Sequence, residues 1–118
     1  MKNRSFYERL GFALDGLKTV WASEKSFRTQ GTIALAAAGV TLALRPGWTW
    51  AALIALSTAL VLALELLNSA LEYLIDHVHP DQAPAIKHAK DAAAAAVLLA
   101  SLGAACVGVL MLISVFFG

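Results

Sequence analysis

A stripe of polar side chains within an apolar segment carries the clearest chemical signal of this sequence. Its members recur every three or four residues and therefore share one face of a helix: Glu65, Asn68, Glu72 and Asp76. A charged residue inside a membrane span costs about 2.5 to 3.5 kcal/mol on insertion scales. Hydrogen bonding between packed helices would explain a lone Asn, but two Glu and an Asn in register indicate a functional site.

The residue types of this stripe suit one kind of chemistry. Carboxylate and amide oxygens are ligands for Mg²⁺, which shares its coordination shell with water and substrate phosphates. A carboxylate deeper in the apolar segment suits a general base that takes a proton from a hydroxyl group. Glu65 lies deeper than Glu72, which follows it by about 10 Å at 1.5 Å of helix rise per residue. We therefore expect a base at Glu65, a metal ligand at Glu72, and phosphoryl transfer to a lipid.

The composition places this stripe in a membrane protein. The chain has 118 residues, of which 59% are hydrophobic and 14% are charged, and its mean hydropathy is +0.71. These values exclude a disordered chain and disfavour an ordinary soluble domain, and the length allows one small domain over residues 1–118. The net charge of +1 creates no field that would attract nucleic acid. The single cysteine, Cys106, can form no intrachain disulfide.

Three uncharged runs predict an all-α protein with three membrane-spanning helices. The runs cover residues 29–44, 46–64 and 92–118. A span needs about 20 residues. The first run is one turn short, but the flanking Arg28 and Arg45 can extend their side chains to the two interfaces. Pro46 and Gly47 complete a turn signal, and Trp48 suits the interfacial aromatic belt. We expect spans at about 29–45, 49–72 and 90–116.

The N-terminal segment predicts an amphipathic helix on the membrane surface at about residues 5–27. Its apolar residues are spaced by three and four along one helix face, whereas Glu8, Arg9, Asp15 and Lys18 lie on the opposite face. Such a helix lies along a membrane surface or packs on the helix bundle. A signal peptide is a further alternative, because a basic segment precedes the first apolar run. The region before that run is too long and too strongly patterned for one.

Positive charge predicts the orientation of the spans. Six of the nine Lys and Arg residues lie in the first thirty residues, and Lys87 and Lys90 lie between the second and third spans. The positive-inside rule therefore places the N-terminus and this second loop in the cytoplasm, and the C-terminus on the far side. Nearly all the ionisable residues then gather at the membrane face where nucleotides are available.

A second polar cluster surrounds the loop before the third span. His77 and His79 with neighbouring aspartates could form a zinc site, but their spacing matches no strong ligand pattern, and solvated loop residues are the simpler interpretation. Lys90 could hold a phosphate or anchor its helix at the interface. No G-x-x-x-x-G-K-[S/T] motif occurs, so a nucleotide site must be built differently. Three spans can hardly enclose a site, so we expect oligomerisation.

Together these motifs resemble the prokaryotic integral-membrane diacylglycerol kinase family, which includes undecaprenol kinases. The resemblance covers about residues 11–101. It is carried by Trp21-Ala22-Ser23-Glu24 with Phe27-Arg28, by the stripe from Glu65 to Asp76, and by Ala89-Lys90-Asp91. It implies a homotrimer of three-span subunits with an N-terminal surface helix in the bacterial inner membrane. Such an enzyme uses Mg²⁺ and ATP to phosphorylate diacylglycerol to phosphatidic acid.

The resemblance also implies roles for individual residues. Glu65 resembles the catalytic base, with Asn68 in the same cleft, and Glu24 matches a second metal-binding glutamate beside Glu72. The positions implied to contact the nucleotide are Phe12, Asp81, Gln82, Lys90 and Asp91. The positions implied to bind the lipid substrate are Lys18, Trp21, Phe27, Arg28 and Glu65.

Four positions depart from the family pattern, and one of them is Asp15 on the surface helix, where a basic residue can occur. Phe12 stands where the family often has a tyrosine beside the nucleotide, and Gln30 replaces an acidic residue that is common after the Phe-Arg pair. Ala94 stands where a serine is often found. The stripe itself is intact, so we expect an active enzyme.

Other classes of protein would also carry glutamates within a membrane. A small transporter or proton-relay subunit would move solute without ATP turnover. A non-catalytic scaffold would tolerate replacement of the stripe by Ala or Leu. Within the kinase interpretation, diacylglycerol and undecaprenol both stay open as acceptors, because both present a hydroxyl group at the interface.

Overall fold

Four α-helices make up all the regular structure that the computed structural model describes, over residues 3–79, 81 and 83–118. They are α1 (Phe6–Ser23), α2 (Lys25–Leu44), α3 (Trp48–Val78) and α4 (Pro84–Phe117). The predicted all-α fold class is therefore confirmed. Two of these helices, α3 and α4, are long and apolar enough to cross a membrane. The first predicted span, at about 29–45 in α2, stays a prediction, because polar residues such as Arg28 and Gln30 lower the hydropathy of this helix.

The break between α1 and α2 falls at Glu24, before the predicted end of the surface helix. The backbone of Glu24 is extended (φ −113°, ψ 107°), and its N–H closes the last turn of α1 on the carbonyl oxygen of Val20. The last carbonyl groups of a helix lack partners within it. Here the Arg28 guanidinium donates to the carbonyl oxygens of Trp21 and Ala22, at 2.7 and 3.1 Å. Its positive charge also suits the negative end of the helix dipole.

A tight turn joins α2 to α3, where the sequence predicts one. Arg45 ends α2 in the left-handed region (φ 49°), and Gly47 precedes α3 with φ 108° and ψ 160°. An L side chain is strongly disfavoured at the second conformation, whereas glycine adopts it freely. The glycine therefore allows the chain to reverse within three residues and return along α2.

The two apolar helices are longer than a membrane is thick. At about 1.5 Å of rise per residue, the 31 residues of α3 extend over about 46 Å and the 34 residues of α4 over about 51 Å. The hydrocarbon core of a bilayer is about 30 Å thick. The ends of both helices that meet near residues 79–83 can therefore project beyond the hydrocarbon, and Pro84 suits the first turn of α4 because it needs no amide hydrogen there.

The centre of the fold is one face of α3, which packs along α4 and against α2. The buried residues of α3 recur at helical spacing along this face: Ile54, Val61, Glu65 and Ser69. Other helices contribute Val20, Phe27, Thr41 and Met111 to the interior. Outside this face, large apolar side chains such as Leu56, Leu67 and Leu99 are exposed on the single chain. This distribution suits helices that face lipid, because exposed apolar side chains are unfavourable in water but not in the hydrocarbon core of a membrane.

The turn at Gly47 gives a test of the hairpin. We expect Gly47→Ala to lower the free energy of unfolding by about 1 to 3 kcal/mol, because Ala is strained at φ 108°. Thermal unfolding in detergent micelles, followed by circular dichroism, measures the change. Gly39→Ala is the matched control, since its Cβ would meet nothing within 4 Å in the middle of α2 and Ala favours a helix by about 0.5 to 1 kcal/mol. Equal stability of Gly47→Ala and the unsubstituted protein would contradict the account of the turn.

Candidate active site

The α2–α3 hairpin brings the first turn of α2 beside the polar stripe. Ser26 and Glu65 lie at nearly equal distances along the chain from the turn at 45–47, so antiparallel packing places them opposite each other. The Ser26 hydroxyl donates a hydrogen bond to Glu65 Oε1 at 2.9 Å. The hairpin therefore places a hydrogen-bond donor beside the carboxylate that the sequence analysis predicts to be the base.

Glu65 is buried in the helix packing, with 4% of its surface exposed. Ser69, one turn further along α3, is also buried at 3% exposure. Within the described part of the chain, no Lys, Arg or His forms an ion pair with Glu65. Burying a carboxylate with so little compensation is unfavourable for stability. Such a group is better explained by a function than by packing.

The junction of α1 and α2 meets the same side of α3 nearer the helix end. The hydroxyl groups of Ser23 and Tyr73 are hydrogen-bonded to each other. Glu24 follows Ser23 in the chain, and Glu72 precedes Tyr73, so both predicted metal ligands adjoin residues that are in contact. Both glutamates are partly exposed. The fold therefore brings the segment of Glu24 to the stripe, although the two are far apart in sequence.

Asn68 presents an unpaired oxygen to this region. Its Nδ2 donates to Glu72 Oε1 at 3.3 Å, which fixes the orientation of the amide. Its Oδ1 is buried and has no hydrogen-bond partner among the described residues. A buried acceptor without a partner is unfavourable, and either a bound water molecule or a cation would supply the missing partner. A carboxylate next to a free amide oxygen is a donor set that fits a hard cation such as Mg²⁺.

Lys90 is tied to the far end of the stripe. Its Nζ lies 2.8 Å from Asp76 Oδ1, and its side chain is only 28% exposed. This pair joins α3 to α4 and places a positive charge one turn beyond Glu72. Asp91 pairs instead with Lys87, at 2.6 Å on the exposed face of α4. An exposed pair of this kind contributes at most about 0.5 kcal/mol to stability.

Three of the predicted lipid-binding residues line one groove. A groove of about 350 Å³ is bordered by Leu17, Lys18, Trp21 and Phe27. The Trp21 and Phe27 rings meet edge to face, with centroids 6.1 Å apart and planes at 88°. Arg28 does not join this groove, because its guanidinium binds the end of α1 and its side chain borders a separate surface groove with Lys25 and Thr29.

The other predicted positions are less closely associated with the stripe. Phe12 is exposed on α1, and Asp81 is exposed between α3 and α4, where it forms no hydrogen bond with the stripe. Gln82 lies outside the described residues. His77 and His79 are exposed, and the described residues contain no group of three His, Cys, Asp or Glu side chains that could hold a metal by themselves.

Sequence reasoning missed several residues that build this site. Ser26 contacts Glu65, Tyr73 contacts Ser23, and the amide of Gln30 donates to Ser101 Oγ at 3.3 Å between α2 and α4. Ser26 and Ser101 lie outside every motif, and the motifs that contain or adjoin the other residues do not reveal their contacts. Only the register of the hairpin, counted outward from Arg45-Pro46-Gly47, could have paired Ser26 with Glu65.

Comparison with known proteins identifies the family to which this site belongs. Residues 11–112 match the model of the family described as Prokaryotic diacylglycerol kinase. The chain belongs to this family. It is 32% identical to a diacylglycerol kinase of Escherichia coli (strain K12) over 106 residues, which cover 90% of this chain and 87% of that relative. It is 34% identical to a diacylglycerol kinase of Haemophilus influenzae over 89 residues, or 75% of each chain. A diacylglycerol kinase of Synechocystis sp. is 37% identical over 98 residues, which cover 82% of this chain and 56% of the relative.

This membership settles the class of protein. The chain is a kinase that acts on a lipid and uses ATP as co-substrate, and it is a membrane protein. The transporter and scaffold alternatives are therefore set aside. The resemblance on which the sequence analysis drew is confirmed, since matched residues 11–112 include every motif that carried it.

Close packing of Trp21 on Gly31 allows a test of how Trp21 is placed in the groove that it forms with Leu17, Lys18 and Phe27. A Cβ at Gly31 would lie 2.7 Å from Cζ3 of Trp21, so Gly31→Ala must displace the indole ring. We expect the fluorescence emission of Trp21, measured with Trp48 and Trp50 replaced by Phe, to shift because the ring must move. Gly103→Ala, whose Cβ meets nothing within 4 Å, should leave the spectrum unchanged. An unshifted Gly31→Ala spectrum would contradict this packing.

Proposed function

We propose that this kinase transfers the γ-phosphoryl group of ATP to the hydroxyl group of diacylglycerol, which yields phosphatidic acid and ADP. The observation that carries the proposal is the buried Glu65 carboxylate, bound by Ser26 and continued by a polar stripe toward Lys90. The relatives named diacylglycerol kinase support the choice of acceptor.

Membrane depth explains how one helix serves a lipid and a nucleotide. A span that begins at Trp48 crosses the hydrocarbon core in about 20 residues and leaves it near Asn68. Glu65 then lies just inside the hydrocarbon edge, where the hydroxyl of an interfacial lipid resides. Glu72 and Asp76 lie beyond that edge, where a water-soluble nucleotide is available. In this arrangement the stripe leads from the lipid hydroxyl to the phosphates.

The reaction follows from these positions. The lipid hydroxyl approaches Glu65, which accepts its proton while the oxygen forms a bond to the γ-phosphorus. The bond from that phosphorus to the β–γ bridging oxygen breaks in line, and ADP leaves. Lys90, at the phosphate end of the stripe, offsets negative charge. Catalysis of this kind rests on positioning and electrostatics rather than on a covalent enzyme intermediate.

The oxygen-rich end of the stripe fits Mg²⁺. Glu24, Glu72 and the unpaired Oδ1 of Asn68 are the ligands that we assign to it, together with phosphate oxygens. When bound there, the ion would neutralise phosphate charge and orient the nucleotide. Asp91, Phe12, Asp81 and Gln82 are assigned to nucleotide contact by the resemblance alone.

The same proposal covers the assembly and its location. We propose a homotrimer in the bacterial inner membrane, with the N-terminus and the α3–α4 connection in the cytoplasm and the C-terminus on the far side. The exposed apolar residues of α3 and α4 are compatible with neighbouring subunits as well as lipid. An open site with the nucleotide ligands at its edge could then be completed by a second subunit.

Replacement of the proposed base tests the mechanism. Glu65→Gln keeps the shape of the side chain and can still accept the Ser26 hydrogen bond, but it cannot take up a proton. Because general-base catalysis contributes about 10²- to 10⁴-fold, we expect kcat for transfer to diacylglycerol to fall by at least about 100-fold. Size-exclusion chromatography and circular dichroism should show a folded protein. Asp15→Asn, on the exposed face of α1, is the control and should retain full activity. Near-normal turnover by Glu65→Gln would remove the base assignment.

Replacement of the proposed metal ligand tests the ion site. Glu72→Gln removes one charged ligand, so we expect the Mg²⁺ concentration for half-maximal activity to rise by about tenfold or more, where each factor of ten corresponds to about 1.4 kcal/mol. Glu8→Gln, an exposed position on α1 whose described side-chain partners are Arg4 and Ser5, should leave the Mg²⁺ titration unchanged. If the Glu72→Gln titration also stays unchanged, the ligand assignment is wrong.

A further inference from the structure

We propose that Ser26 is a positioning residue for the reaction, because it orients the carboxylate of Glu65 toward the acceptor hydroxyl. The inference rests on the proposed base role of Glu65. Ser26 belongs to none of the motifs that carry the family resemblance, and it lies on a different helix from the stripe. Its role follows from one contact, in which its hydroxyl donates to Glu65 Oε1 at 2.9 Å.

This hydrogen bond makes the two oxygens of the carboxylate unequal. Oε1 accepts a hydrogen bond from the Ser26 hydroxyl, whereas the described residues donate none to Oε2. The terminal torsion of a glutamate is broad and roughly two-fold, so an untethered carboxylate rotates freely between equivalent orientations. A donor on Oε1 fixes the plane of the group. Oε2 is then the oxygen that accepts the proton of the lipid hydroxyl.

Ser26 can act in this way because its own backbone is held in place. Phe27, the next residue, is 5% exposed and packs edge to face on Trp21. Arg28 binds the last carbonyl groups of α1 at 2.7 and 3.1 Å. These contacts fix the first turn of α2 against α1, while the carboxylate is fixed on the packed face of α3. Although Ser26 is itself exposed, its backbone and the carboxylate belong to two elements that are fixed against each other, so the hydrogen bond holds the carboxylate in one orientation.

A purely structural role predicts a different outcome. If Ser26 only satisfied a buried acceptor, its removal would lower stability and leave the rate of the folded enzyme unchanged. If Ser26 instead bound the lipid, its removal would raise the KM for diacylglycerol. Positioning of the base predicts a lower kcat with little change in either KM, because the contact matters for the reacting geometry rather than for substrate affinity.

The test compares four serine variants in the full-length protein, with diacylglycerol in mixed micelles as substrate. Ser26→Ala should lower kcat by about tenfold, in line with the loss of a hydrogen bond to a charged group, and should leave the KM values for lipid and ATP within about twofold. Ser26→Thr keeps the hydroxyl and should restore kcat to within about threefold. Ser26→Cys, a weaker donor of similar size, should fall between Thr and Ala. Ser57→Ala is the control, because it removes a serine hydrogen bond to Ile54 elsewhere on α3, and it should match the unsubstituted enzyme.

A double-mutant cycle identifies Glu65 as the group through which Ser26 acts. In the Glu65→Gln background, Ser26→Ala should cause no further loss of the residual rate, because the base that it positions is already absent. The same tenfold loss in both backgrounds would overturn the proposal. So would an unchanged kcat for Ser26→Ala, or a rise in the KM for lipid alone. If Ser26→Ala does not fold, the comparison of Ser26→Cys with Ser26→Thr becomes the test. Equal kcat values for these two variants would then overturn the proposal.

The failure of this inference is distinguishable from the failure of the proposed function. An active Glu65→Gln variant would remove the base and would overturn both. An inactive Glu65→Gln variant together with a fully active Ser26→Ala variant would overturn the Ser26 role alone and leave the proposed reaction intact.

Discussion

A carboxylate buried between packed helices must be compensated by its surroundings, and the fold is arranged around one such group. Glu65 lies on the face of α3 that packs against its neighbours, and among the described residues the Ser26 hydroxyl donates a hydrogen bond to it. That contact exists because the turn at Arg45 and Gly47 sets the register of α2 against α3. The conformation of this turn therefore determines which residue of α2 faces the carboxylate.

The same hairpin also brings the amphipathic N-terminal helix to the stripe. The extended backbone at Glu24 ends α1, and the contact of Ser23 with Tyr73 holds this junction beside the outer part of α3. Along α3 the polar side chains run from Asn68 to Asp76. Asp76 pairs with Lys90, which lies on α4. The stripe on α3 is thus joined by residues of the other helices and of the α1–α2 junction, and no single helix could build the site.

Much of this architecture was predictable from the sequence, since it depends on periodicity. The spacing of the stripe predicted one helix face, and the Arg-Pro-Gly turn predicted the hairpin. Contacts between helices were not predictable in this way. The pairing of Ser26 with Glu65 depends on register across a turn, and the use of Arg28 as a cap for α1 depends on where that helix ends. The extent of the first span also stayed open, because Arg28 and Gln30 give α2 a mixed character.

The central claim is that this site joins a lipid hydroxyl to the phosphates of ATP, and phosphate transfer measures it directly. Purified protein in mixed micelles is supplied with radiolabelled ATP and with either diacylglycerol or undecaprenol, in the presence and absence of Mg²⁺. The account predicts Mg²⁺-dependent labelling of diacylglycerol in preference to undecaprenol. Preferential labelling of undecaprenol would contradict the proposed acceptor, and labelling of neither lipid by a folded, assembled protein would contradict the proposed reaction itself.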